Sequence, residues 1–124
     1  PHEPWATGAA RLGALRPVGY TRIGPALRHA TATLAAIPAD RRVLVLVSDG
    51  RPTDYDRYEG AYGVADVRRA LVEAHDRGIV AHALTVDRAA RGHVAHMFGA
   101  GSWDLLPDAV ALPGALTRLL TRLV

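Results

Sequence analysis

The chain has 124 residues, enough for one hydrophobic core and too few for two. It is 49% hydrophobic and 22% charged, which excludes disorder, and it has no cysteine, which excludes a disulfide framework and a thiolate metal site. The net charge of +3 comes from 15 basic and 12 acidic residues; all the basic ones are arginines, interleaved with acids, so no massed nucleic-acid surface stands out.

Residues 1–18 read as a flexible or partly helical lead-in, rich in Pro, Gly and Ala, with a short helical pattern over 9–15. Arg11, Arg16 and Pro17 interrupt the apolar run there, so neither a membrane span nor a signal peptide is expected. The chain starts at Pro1 rather than methionine, and so reads as processed or as part of something longer. Gly19 and Gly24 bracket a loop, and Pro25 suits the start of a helix. Ala26, Leu27, Ala30, Leu34 and Ile37 recur at helical spacing, with Arg28 and Thr31 expected to face away, and Pro38 stops the helix.

Residues 43–47, Val-Leu-Val-Leu-Val, form an unbroken apolar run without alternation, the pattern of a strand buried on both faces of a parallel sheet. A long polar loop follows over 49–63. A helix is expected over 64–77, with Val64, Val67, Leu71 and Ala74 inward and Gly78 as its stop. Residues 79–86 read as a second strand closed by Asp87, 89–98 as a helix and 102–106 as a third short strand. A final amphipathic helix covers 113–123. Strands alternating with helices define a doubly wound, Rossmann-like α/β fold with a mostly parallel sheet and helices on both faces. Such folds keep their functional loops at the carboxyl ends of the strands, where Asp49 and Asp87 fall.

Thr21, in the loop before the first long helix, and Asp49, at the tip of the following strand, reach the same edge of a βαβ arrangement. A hydroxyl and a carboxylate are hard oxygen donors, suited to Mg²⁺ or Ca²⁺. Equally, threonine in such a loop caps helices, and aspartate before glycine makes turns. Asp49, Asp54 and Asp56 form a carboxylate cluster that admits a second reading, a small Mg²⁺-dependent hydrolase or phosphatase. No nucleophile with a matching base accompanies them, and Arg51 and Arg57 are interleaved as in a salt-bridged, solvated loop. Tyr55, Tyr58 and Tyr62 lie in the same stretch, beside arginines, as at protein interfaces. His93 and His96, spaced by three, invite a zinc reading but lack a third ligand of diagnostic spacing. The segment "GYTRIG" has glycines at P-loop spacing without the Lys-Ser/Thr that contacts phosphate.

Three stretches, "GYTRIGPALRHAT", "LVLVSDGRPTDYDRYEGAYGVADVRRALVEA" and "TVDRAARGHVAHMFG", resemble the C-terminal von Willebrand factor A domain of the NorD and CbbO type. The resemblance runs from about Ala9 to the C-terminus and identifies residues 19–124 as the C-terminal portion of one such domain. It implies a non-catalytic, cytoplasmic adaptor that works with a MoxR-type AAA+ ATPase. The implied target is a nitric oxide reductase complex or Rubisco. It also implies a metal-ion-dependent adhesion site, in which Thr21 matches the threonine of the second loop and Asp49 the aspartate of the third. In that family the metal keeps one position open for a partner carboxylate. Arg51, Asp54, Tyr55, Tyr58 and Glu59 would flank that partner-facing surface.

The family's first loop, Asp-x-Ser-x-Ser, cannot be formed here, because Ser48 and Ser102 are the only serines. The resemblance therefore places the domain's first strands ahead of residue 1, and Mg²⁺ held by Thr21 and Asp49 alone would bind weakly. It also leaves the strand from Val43 to Val47 without its family neighbour. That edge is expected to drive self-association.

Overall fold

The computed structural model describes residues 4–16, 19, 21–48, 60–89 and 91–123. Three parallel strands, β1 (Arg42–Ser48), β2 (Ile79–Thr85) and β3 (Trp103–Leu105), lie in the order β1-β2-β3. β1 pairs along its full length with β2, from Arg42 opposite Ile79 to Ser48 opposite Thr85. β3 pairs only with the last three residues of β2, from Ala83 to Thr85. The described residues also form five α-helices: α1 (Trp5–Gly13), α2 (Ile23–Ala35), α3 (Gly60–His75), α4 (Arg91–Phe98) and α5 (Leu112–Leu123). A turn of 3₁₀ helix, Ala109–Ala111, leads into α5; Asp108 caps it by accepting a hydrogen bond from the Ala111 N–H at 3.0 Å.

The alternation of side chains along β2 sorts the core into two layers. On one face Ile79 and Ala83 meet Leu44 of β1, Ile23 and Leu27 of α2, Val64, Val67, Ala70 and Ala74 of α3, and Val94 and Met97 of α4. On the other face Leu84 meets Leu106 and the inward residues of α5, Ala115 and Leu119, with Val45 packed alongside. Helices on both faces of a parallel sheet are the doubly wound α/β arrangement expected from the order of elements.

Several boundaries move. α1 begins four residues before the pattern at 9–15, just after Pro4, and it has no buried residue. α3 begins at Gly60, so residues 60–63 are helical rather than part of the loop. The helix expected from Ala89 begins at Arg91. Gly78 ends the turn after α3 with φ of +69°, a conformation glycine adopts without strain, and its N–H reaches the His75 carbonyl at 2.8 Å.

The face of α2 is also rotated from expectation. Ala26 and Ile37 are exposed, whereas Ile23, Gly24, Leu27 and Thr31 are buried. Thr31, expected to face away, is 2% exposed, and its hydroxyl is buried without a hydrogen-bond partner among the described residues. Arg28 does not face free solvent either. It spans to α3, with Nη2 donating to Asp66 Oδ1 at 2.7 Å and Nε to Glu73 Oε2 at 2.8 Å. Arg69 adds a contact to Glu73 at 3.3 Å. The hydrogen bond from Arg28, and secondarily its charge, holds the Glu73 carboxyl below its usual range. The hydrogen bonds to Asp66 and Glu73 in turn hold the Arg28 guanidinium still more firmly in its charged form. Sequence periodicity placed Arg28 on the outer side of one helix, and the partner that turned it into a bridge lies on another.

Candidate functional site at the carboxyl ends of the strands

The short connection 36–41 returns the chain from α2 to β1, so α2 runs antiparallel to the strand it packs on. Its amino end, and Thr21 two residues before it, therefore lie toward the carboxyl ends of the strands. Buried Ile23 and Gly24 anchor that end of α2, while Thr21 itself is exposed. β1 ends at Ser48, level with Thr85 at the end of β2, and Asp49 is the next residue of the chain.

Asp49, Arg51, Asp54, Tyr55, Asp56, Tyr58 and Glu59 lie outside the described residues. Tyr62, assigned to the same loop, is on the first turn of α3 and 66% exposed. Asp87, the other aspartate at a strand end, is used locally. Its Oδ1 accepts from the Ala89 N–H at 2.8 Å, while its own N–H donates to the buried Thr85 hydroxyl at 3.3 Å. These are the hydrogen bonds of a tight turn leading toward α4, and they use one oxygen of the Asp87 carboxylate.

Among the described residues, the oxygen-bearing side chains at this end of β1 and β2 are the hydroxyls of Thr21, Ser48 and Thr85 and the carboxylate of Asp87. Hard oxygen donors of this kind would suit Mg²⁺ or Ca²⁺ rather than a softer metal. Among the described residues, no group of three or more His, Cys, Asp or Glu side chains is placed to hold a metal. His93, half-buried, and His96, exposed, share α4 without a third ligand from this set.

Sequence reading missed a polar cluster on the α5 face. His82 is 2% exposed, and its Nε2 lies 3.0 Å from Asp104 Oδ2; Arg122 of α5 approaches the same oxygen at 3.8 Å. One imidazole thus ties β2 to β3, and the carboxylate carries the tie on to α5. The available signal was a histidine inside the apolar run of β2, since a polar ring buried there requires a partner.

The fold is that of a doubly wound α/β domain with a parallel sheet. Over 113 residues the chain is 44% identical to an uncharacterized protein of Pseudomonas aeruginosa, a match that covers 91% of this chain and 18% of that protein. It is 45% identical over 109 residues to protein NorD of Brucella suis, covering 88% and 17% of the two chains. With protein NorD of Stutzerimonas stutzeri the identity is 44% over 107 residues, covering 85% and 18%. The chain is thus homologous to one segment of proteins named NorD, and it spans less than a fifth of the length of the curated relatives it matches. No family model matches it, and no solved structure does.

Proposed function

We propose that the chain is a non-catalytic adaptor module, the C-terminal part of a von Willebrand A domain of the NorD type. In this reading it works with a MoxR-type AAA+ ATPase in activating a target enzyme complex, a nitric oxide reductase. The observation that carries the reading is the similarity to NorD proteins, which extends over 88% of the chain and takes in both loops that supply Thr21 and Asp49. Thr21 and Asp49 contribute two arms of a metal-dependent adhesion site at the carboxyl end of the sheet. An ion held there would supply a positive charge able to attract a carboxylate of the partner. The chain's own residues position that contact: buried Ile23 and Gly24 fix the approach of Thr21, and β1 fixes the start of the loop that begins with Asp49. A serine-rich third arm is absent from these 124 residues.

Two measurements test this reading. Mg²⁺ titrated calorimetrically into the chain should bind weakly, with Kd in the range of about 1 mM or above, because the ligands are too few for a tight site. Asp49→Ala should abolish that binding. Retention of a MoxR-type ATPase on the immobilised chain should depend on Mg²⁺ and be lost in the same variant. Mg²⁺-dependent turnover of a generic phosphate ester, abolished by Asp49→Ala, would overturn the adaptor reading in favour of a hydrolase.

A further inference from the structure

A second surface lies at the opposite, amino-terminal end of the sheet, and it does not depend on the metal reading. The Ala83 N–H donates to the Ser102 carbonyl at 3.0 Å, and the Thr85 carbonyl accepts from the Leu106 N–H at 2.7 Å. Odd-numbered residues of β2 therefore turn their backbone polar groups toward β3, and even-numbered ones toward β1. By the same alternation, Ile79 and Ala81 direct N–H and C=O groups to the β3 side. β3 starts only opposite Ala83, and among the described residues no strand of the sheet occupies the space before it.

A cavity of about 520 Å³ opens along this half-open edge, bounded by α3 and α4. Leu71, Met97 and Phe98 give it apolar walls, Arg68, His75 and His96 line it with nitrogen, and among the described residues no carboxylate does. Arg68 is exposed and makes no ion pair with a described residue. The partial negative charge at the carboxyl ends of α3 and α4 opposes an anion there but fades within the last turn. Arg68 stands about two turns before the end of α3, outside that influence.

We propose that this edge takes an extended segment of a partner protein as a short added strand. The segment runs antiparallel to β2, so that the residues whose side chains enter the cavity also turn their N–H groups toward Ile79 and Ala81; it fills the cavity with an apolar side chain and sets an acidic side chain two residues away against Arg68. Main-chain pairing supplies affinity in such an addition, while the cavity and the arginine supply selectivity. With the metal-dependent surface proposed at the other end of the strands, the module would engage two partners at once.

The test uses the ¹⁵N-labelled chain and, as probe, a capped heptapeptide, Thr-Val-Thr-Glu-Thr-Val-Thr, which sets valine and glutamate on one face of the strand. Its addition should shift the Ile79 and Ala81 amides and protect them from hydrogen exchange, while those of Val80 and His82, which face β1, change little. Methylating the valine nitrogens of the peptide should weaken binding about tenfold, the equivalent of one or two net hydrogen bonds. Ala81→Pro removes the outward N–H without touching the ladder to β1 and should weaken the unmodified peptide to the same degree. Should that variant fail to fold, the methylated peptide carries the same discrimination on the unaltered chain. Arg68→Glu, at an exposed position, should weaken the glutamate peptide about fivefold and strengthen a valine–lysine peptide. Equal binding of the methylated peptide would overturn the proposal in favour of a side-chain pocket. Peptide-induced shifts centred on Leu44 and Val45, concentration-dependent shifts of Ile79 and Ala81 without peptide, or no response at about 1 mM peptide would each overturn it as well.

Discussion

β1 and β2 are parallel, equal in length and both apolar, yet one is buried and the other is not. In β2 only Val80 is exposed, and five of its seven residues are buried. In β1 only Leu44 is buried, and Val47 is 54% exposed. The run Val-Leu-Val-Leu-Val has the composition of a strand covered on both faces, which is why that expectation arises from sequence. β2 lies between two strands and under helices of both layers; β1 has a strand on one side only among the described residues. Burial here follows from position in the sheet rather than from composition.

The largest effect expected from this contrast is on core truncation. Leu84 of β2 is fully buried, at 0% exposure, at the centre of the α5 layer. Leu84→Ala should lower unfolding free energy by about 3 kcal/mol through lost transfer energy and the cavity left behind. Val47→Ala, at the exposed end of β1, should change it by less than about 0.5 kcal/mol. Urea unfolding of the two variants checks both values, and comparable losses would mean that β1 is covered in solution.

Covering by a second copy is the next effect to measure. An apolar strand edge open on one side is a template for pairing, and charged residues on edges suppress it. The chain should therefore self-associate reversibly in sedimentation velocity runs, and Val47→Lys should lower the association constant about tenfold, a change of about 1.4 kcal/mol. A monodisperse monomer that melts cooperatively in the unaltered chain would remove the edge from consideration.

The same contrast explains what was legible in the sequence. Helix and strand identities were readable because each follows from local periodicity and stop signals, such as Pro38 after α2 and Gly78 after α3. The α/β class followed from their order. The rotation of α2 was not readable, because Ala26 and Ala30 are equally apolar and only the position of α3 decides which of them turns inward. The Arg28 bridge and the His82–Asp104 tie were missed for a related reason: their partners are 38 and 22 residues away. Thr21 falls just before α2 and Asp49 just after β1, as the order of elements implies, whereas sharing one ion depends on how folding brings the two loops together.

Thr31 offers a test in the opposite direction from the truncations. Its hydroxyl is buried on α2 without a hydrogen-bond partner among the described residues, a position that penalises the folded state relative to the solvated unfolded chain. Thr31→Val replaces the hydroxyl by a methyl group of similar volume and should stabilise the fold by about 1 kcal/mol in urea unfolding. Thr31→Ser, which keeps the hydroxyl and removes the methyl, should destabilise it. If valine destabilises as well, the hydroxyl has a partner in solution and the α2 face is seated differently.

The smallest expected effect concerns the bridge between α2 and α3. Arg28 and Glu73 keep 35% and 37% of their side chains exposed, so solvent screens the pair strongly. Arg28→Gln should lower stability at pH 7 by less than about 1 kcal/mol. The pH dependence of that loss has a definite sign. Glu73 is held below its ordinary value of 4.5, so the folded state favours its charged form. Its contribution is complete above the unfolded value and disappears as pH falls through the lower folded one. Arg28 is held more firmly charged from an already high value, so it stays protonated throughout and adds no pH dependence of its own. The difference between the unaltered chain and Arg28→Gln should therefore be constant from neutral pH down to about pH 5 and shrink below it. A gap that persists unchanged well below the carboxylate range would mean that Arg28 acts through the packing of its aliphatic stem between the two helices rather than through its charge.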